Sequence, residues 1–166
     1  MTKQQFIEAV SAEQESLRRF LRGLCAGDGF LADDLAQEAL LKAYLSFERF
    51  EGHSRFSTWL FRIAYNCYYD HIRKSGKEGW QSLEESTREA GKVEDEPSVD
   101  RKYEHQQLYM AIRQLAAHEQ AVILLFYMEE KSIREIMGIM EMPSGTVRSC
   151  LSRGRQHLRQ YLENQC

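Results

Sequence analysis

SIREIMGIMEMPSGTVRSCLSRGRQHLRQYL, residues 132–162, is the stretch on which the reading of this chain turns. Apolar residues recur at helical spacing on both sides of Glu141-Met142-Pro143, which predicts a short helix over Ser132–Met140, a tight turn, and a longer helix over Ser144–Leu162. Ile133, Ile136, Met140, Met142, Val147 and Leu151 can pack these helices together. Thr146, Arg148, Ser149 and Arg153 are left on or near the outer face, and Arg155 and Arg159 extend the basic surface. That is the pattern of a helix-turn-helix, whose second helix lies in the major groove of DNA, where one Arg grips guanine through two hydrogen bonds and others hold phosphates. A solvated basic helix closing a bundle has the same spacing, so the motif needs support from the rest of the chain.

Upstream, apolar positions across 103–128 predict two more helices. Before them runs SGKEGWQSLEESTREAGKVEDEPSVD, residues 75–100, poor in aliphatic residues, interrupted by Gly76, Gly79, Gly91 and Pro97, and strongly acidic, as a linker is. Ahead of this segment Phe6, Val10, Leu17, Phe20, Leu21 and Leu24 mark a first helix that Gly27-Asp28-Gly29 stops. A second helix carries Leu31, Leu35, Ala39, Ala43 and Phe47 on one side. The third is FSTWLFRIAYNCYYDHIRK, residues 56–74, with Ser54 as its expected N-cap. The reading is therefore all-α, with two small helical domains over 1–76 and 103–166 joined by a flexible acidic linker over 77–102.

Composition narrows the class of function. The 166 residues are 43% hydrophobic and include two prolines, as in a mostly helical globular chain. The start, MTKQQFIEAV, lacks the basic-then-apolar pattern of a signal peptide. The longest apolar run, AVILLFYM at 121–128, is far short of the ~20 residues that cross a bilayer. Cys25, Cys67, Cys150 and Cys166 are scattered without metal-ligand spacing, so they read as free thiols of a reducing cytoplasm. No metal or cofactor is expected. The formal net charge of −3 is unusual for a protein that binds nucleic acid unaided.

Two helix faces in the first domain carry further information. Asp34, Gln37, Glu38 and Leu41 fall at i, i+3, i+4 and i+7, opposite the apolar stripe of their helix, where an acidic patch around an exposed leucine suits a basic helical partner. A solvated charged face is the plainer alternative. In the third helix Phe56, Trp59, Leu60, Ile63 and Cys67 form a stripe that reads as core. Arg62, Asn66, Tyr69, Asp70 and Arg73 share another face, a mixture suited to single-stranded DNA: Arg for the backbone, rings for stacking, Asn for a base edge.

EIMGIMEMPSGTVRSCLSRGRQHL and DDLAQEALLKAYLSFERFEGHSRFSTWLFRIAYN together resemble the two domains of the extracytoplasmic-function (ECF) sigma factors, small members of the sigma-70 class. The resemblance implies a sigma2-like helical bundle, then a sigma4-like helix-turn-helix domain. It also implies a non-catalytic factor that binds core RNA polymerase and directs promoter-specific initiation. By resemblance, Asp33, Asp34, Gln37, Glu38 and Leu41 would grip the polymerase clamp. Ser46, Phe50, Ile63, Asn66 and Asp70 would form the pocket for a base of the melted −10 element, with Tyr69 and Arg73 beside it and Gly52 and Ser54 shaping the loop. Thr146, Arg148, Ser149, Arg153 and Arg155 would read the −35 duplex. The expected partners are core RNA polymerase, promoter DNA and an anti-sigma factor, for a cytoplasmic monomer without membrane insertion. Flipping a base costs a few kcal/mol, which only a fitting base repays, so melting and recognition become one event. The acidic balance is then intelligible, because polymerase supplies the general attraction to phosphate. Some 25 linker residues average ~25–30 Å end to end, short of two duplex turns at ~34 Å each, so polymerase must hold the domains apart.

The chain departs from the resembled pattern at several positions. Tyr65 and Cys150 stand where Arg is common, Ala116 where Pro is, Gly154 where Ala is, Met137 where a small residue is, and Glu141 where Gly is. Glu141 in a turn that favours positive φ would cost on the order of 1 kcal/mol. Two other functions fit parts of the sequence: a helix-turn-helix regulator that binds duplex operators alone, and a metal-dependent nucleic-acid enzyme using Asp33, Asp34 and Glu38. One helix face aims those three carboxylates poorly at a common ion.

Overall fold

A computed structural model describes residues 1–75 and 99–164 of the chain, and among them all the regular secondary structure is helical. Three helices form the first half: α1, Lys3–Leu24; α2, Gly29–Ser46, running into a 3₁₀ turn at Phe47–Arg49; and α3, Phe56–Ser75. The second half holds α4, Val99–Arg113; α5, Ala117–Ile123, continued by a π-helical turn at Leu124–Met128; α6, Ile133–Met140; and α7, Ser144–Asn164. Most of the expected linker lies outside the described residues. Its last four positions belong to α4.

Local chemistry sets the helix starts. Thr2 and Gln5 cap α1 reciprocally, and Ser132 and Glu135 do the same for α6, each pair satisfying two of the amides a helix leaves open at its start. Asp28 caps α2 by accepting from the Leu31 amide at 3.1 Å. Helix α3 starts at Phe56 as expected, but Arg55 and not Ser54 immediately precedes it, the Arg55 carbonyl accepting from the Trp59 amide at 3.2 Å.

Helix α3 is the centre of the molecule. Leu60, Phe61, Ala64, Cys67 and Tyr68 are buried on it, with Phe61 packed on Phe20 of α1 at 5.4 Å between ring centroids. In the second half Ile112, Leu115, Val122, Ile136, Ile139, Val147 and Leu151 fill the space between the helices. The turn residues Met140 and Met142 join this packing as the helical hairpin requires.

The two halves close on each other and share one core. Helix α6 lies against α3, and the π-helical turn lies against α1. Both approaches depend on a missing side chain: a Cβ at Gly138 of α6 would stand 2.7 Å from Thr58 Cγ2, and one at Gly23 of α1 would stand 2.9 Å from Leu124 Cδ2. Real carbon atoms do not come that close, so a larger residue at either position makes the facing side chain or the helices shift.

Candidate nucleic-acid interface

The outer face of α2 is open. Asp34, Gln37, Glu38 and Leu41 are exposed there, and Phe30 and Leu45 extend the stripe, 90% and 73% exposed. Such large apolar groups left in water along a helix mark a surface built for a partner. Phe30 and Leu45 escaped the sequence reading, although their spacing from Asp34 and Leu41 (i, i+4, i+11, i+15) puts them on the same face. Asp33 turns aside, its Oδ1 3.1 Å from Arg18 Nη1, and Glu38 pairs with Lys42 at 3.1 Å. The three carboxylates do not converge, and among the described residues no group of acidic, Cys or His side chains is arranged to hold a metal ion.

Helix α3 presents two adjacent stripes. Ile63, Asn66, Asp70 and Arg73 (i, i+3, i+7, i+10) face water wholly or in part. Arg73 donates to Asp70 at 2.8 Å and sits 5.3 Å over the Tyr69 ring, so this end of the helix is held ready as a cation above an aromatic plane. An open cleft lined by Asp70, Arg73 and Lys74 adjoins it. Phe50 leads into the helix, packed against Phe56 and Trp59 at 6.0 and 5.2 Å, and Ser46 Oγ donates to the Lys42 carbonyl. The aromatic loop is thus fixed to the first turn of α3, by Phe56 and Trp59.

The other stripe, Thr58, Arg62, Tyr65 and Tyr69 (i, i+4, i+7, i+11), lies under the second half. Arg62 Nε donates to the Gly138 carbonyl at 2.8 Å and stands 3.6 Å from the Glu141 carboxylate. The Tyr65 hydroxyl is hydrogen-bonded to His118 Nδ1 at 2.7 Å, and Tyr69 stacks on the His118 ring with centroids 5.5 Å apart. Burial pushes the Tyr65 phenol well above its ordinary range. The expected DNA face is therefore split: Asn66, Asp70 and Arg73 open, Arg62 and Tyr69 engaged within the chain.

A second set of contacts ties α1 to the end of the π-helical turn. Glu129, its side chain 1% exposed, accepts from Arg19 Nε at 2.8 Å and from Nη2 at 3.0 Å, and from the Ser16 hydroxyl. The hydrogen bond to Glu129 raises the Arg19 guanidinium above its ordinary pKa. Lys131 lies 4.8 Å over the Phe61 ring.

On α7, Thr146, Arg148, Ser149, Arg153 and Arg155 are all exposed. Arg155 Nε donates to the Leu151 carbonyl at 3.3 Å, and Arg153 comes within 3.9 Å of Glu119, whose carboxylate also meets His157 at 3.0 Å. Cys150, one position beyond Ser149, is buried, so it belongs to the core and not to the basic surface.

Comparison with known proteins follows the same division. Residues 9–78 match the family model of Sigma-70 region 2, and residues 105–158 that of Sigma-70 region 4. The chain is 34% identical over 142 residues to the ECF RNA polymerase sigma factor SigW of Bacillus subtilis, covering 80% of this chain and 76% of that one. It is 32% identical over 132 residues to the ECF RNA polymerase sigma-E factor of Escherichia coli K12, covering 74% and 69%. Among solved structures, the sigma factor RpoE from Bartonella quintana, in complex with the anti-sigma factor NepR, superposes with a TM-score of 0.75 at 27% identity over 96% of this chain and 97% of that one. The fold is also that of CnrH in complex with the cytosolic domain of CnrY, with a TM-score of 0.71 at 19% identity over 99% and 92%.

Proposed function

Because the chain belongs to the extracytoplasmic-function sigma factors of the sigma-70 family, we propose that it divides the work of an RNA polymerase sigma factor among three of its surfaces. The outer face of α2, with Asp34, Gln37, Glu38 and Leu41, docks on core polymerase, with Asp33 at its edge tied to Arg18. The Phe50 corner and the Ile63, Asn66, Asp70 and Arg73 stripe of α3, with Tyr69, receive the melted −10 strand. The exposed edge of α7, Thr146 to Arg155, enters the −35 major groove. The factor does no chemistry of its own and works in the cytoplasm beside polymerase. No helix among the described residues is long and apolar enough to cross a membrane.

One observation carries the reading: an acidic, apolar-studded helix face and a basic recognition helix sit in one chain, each exposed and on separate halves. A free-standing operator-binding regulator has use for the second and none for the first. An anti-sigma factor is the further partner, since RpoE, the similar sigma factor, is held by one.

Co-elution with core RNA polymerase tests the assignment. The wild-type chain is expected to bind, and a folded Asp34→Lys, Glu38→Lys variant to lose binding, because two reversed charges oppose a basic partner at the centre of the docking face. Failure of the wild type, with core polymerase that accepts another sigma factor, would return the chain to the free-standing DNA-binding class.

A further inference from the structure

The basic surface of α7 has a carboxylate beneath it that comes from another helix. Glu119 stands in the first turn of α5 with its side chain only 10% exposed. A charge so placed needs partners, and Glu119 meets two residues one turn apart on α7. Its Oε2 is 3.0 Å from His157 Nδ1, and its Oε1 is 3.9 Å from Arg153 Nε. The two contacts differ in kind. A carboxylate only accepts, so His157 donates from Nδ1 and fixes the carboxylate plane. At 3.9 Å the other contact is too long for a hydrogen bond, so Glu119 draws the guanidinium by charge without consuming its donors. Arg153 Nη2 lies 3.9 Å from Cys150 Sγ, a weak acceptor, and the Arg153 side chain stays 59% exposed. Two departures from the resembled pattern meet at this spot. Cys150, buried, stands where Arg is common, which leaves Arg153 with less cationic company on the helix. Gly154 stands where Ala is common, and a Cβ there would be 2.8 Å from Ile123 Cγ1 and 3.9 Å from Glu119 Cβ. The glycine lets α5 lie close enough for Glu119 to reach under α7.

We propose that Glu119 is a positioning residue for −35 recognition: together with His157 it holds Arg153 on the base pair that Arg153 reads. The inference rests on the sigma reading for the identity of the DNA element. An acid under a DNA-binding helix works against the general attraction to phosphate. What it gives in return is selectivity. An aligned guanidinium presents its fork to guanine in one geometry, whereas a free one satisfies itself on any phosphate within reach. Removing the charge therefore has two effects of opposite sign, tighter binding to DNA at large and weaker preference at one base pair. A carboxylate that merely braced the fold would give neither.

Holoenzyme reconstituted from the full chain and core polymerase is equilibrated with a randomised duplex library, and the bound fraction is sequenced. Arg153→Ala should relax one −35 position, lowering its base preference by ~10-fold. Glu119→Gln keeps the side-chain shape and should relax that same position by ~3–10-fold. It should also bind unrelated duplex more tightly and steepen the salt dependence by up to ~1 in log–log slope. In the Arg153→Ala background Glu119→Gln should add nothing to the lost preference, because it acts through Arg153. His157→Ala, at a half-exposed position, should relax the same base pair and gives a second route that does not disturb the core. Circular dichroism checks that each variant folds. The proposal is overturned if Arg153→Ala relaxes no position, if Glu119→Gln weakens binding to all sequences alike, or if it relaxes a position independently of Arg153. A wild-type chain that captures no core polymerase sinks the sigma reading, and this inference with it. A holoenzyme that selects an element and keeps its full preference in Glu119→Gln sinks this inference alone.

Discussion

At Glu141 the backbone adopts φ +55° and ψ +48°, the left-handed conformation expected to cost a non-glycine residue on the order of 1 kcal/mol. Its carboxylate faces Arg62 across the halves, a contact that glycine could not make. Tyr65 and Cys150, two positions where the resembled pattern favours Arg, are both buried. An arginine at either would need a partner for its charge in that core. Cys25 behaves similarly: burial pushes its thiol up to about 12 from an ordinary 9.0, and the Tyr65 and Tyr68 phenols are raised by burial too. A raised pKa favours folding while the group is protonated in both states, and the advantage is lost as the unfolded chain begins to release protons that the fold retains. Stability should therefore be level up to about pH 9 and fall from there toward about pH 12, by ~1.4 kcal/mol per pH unit for each such group. Denaturant melts across this range, with Cys25→Ala expected to flatten the slope, check it.

The α6–α7 hairpin was the most legible element, because its packing residues follow from apolar spacing and its helix limits were met to within two residues, Ser132 proving to be the cap of α6 and not its first residue. Arg148→Ala and Arg153→Ala should each weaken −35 duplex binding in the polymerase-bound state, by ~1–3 kcal/mol where the side chain reads a base. Arg153→Ala should also loosen α7 slightly, since Glu119 loses a neighbour. Electrophoretic titration of holoenzyme on promoter DNA separates these effects from core binding. Gly154 is explained by α5, because a Cβ there would stand 2.8 Å from Ile123 Cγ1. On α3 the sequence reading was less complete. It found the Leu60 and Cys67 stripe but missed Phe61, Ala64, Tyr65 and Tyr68, for a helix packed on several sides has no single apolar face to detect. Asn66, exposed on the uncovered stripe, gives the sharper test there. Asn66→Ala should impair open-complex formation at the −10 element and leave core polymerase binding unchanged, as footprinting of melted DNA and co-elution would report.

As a whole molecule the chain should unfold as one unit, because residues of both halves share one core. Calorimetry is expected to show a single transition for the wild type and two for Gly138→Leu, in which each half melts by itself. The sequence by itself determined the helices and their order, which follow from local spacing and caps, and, through the resemblance of its two motifs, the family. Only the tertiary structure decided that α6 covers Arg62, that Glu129 of the second half is satisfied by Ser16 and Arg19 of the first, and that the polar surface of α3 is split into an open and a covered stripe. Those contacts join residues more than 70 positions apart in the chain. Periodicity describes what one helix turns away from water, and it contains nothing about which distant helix will meet it there.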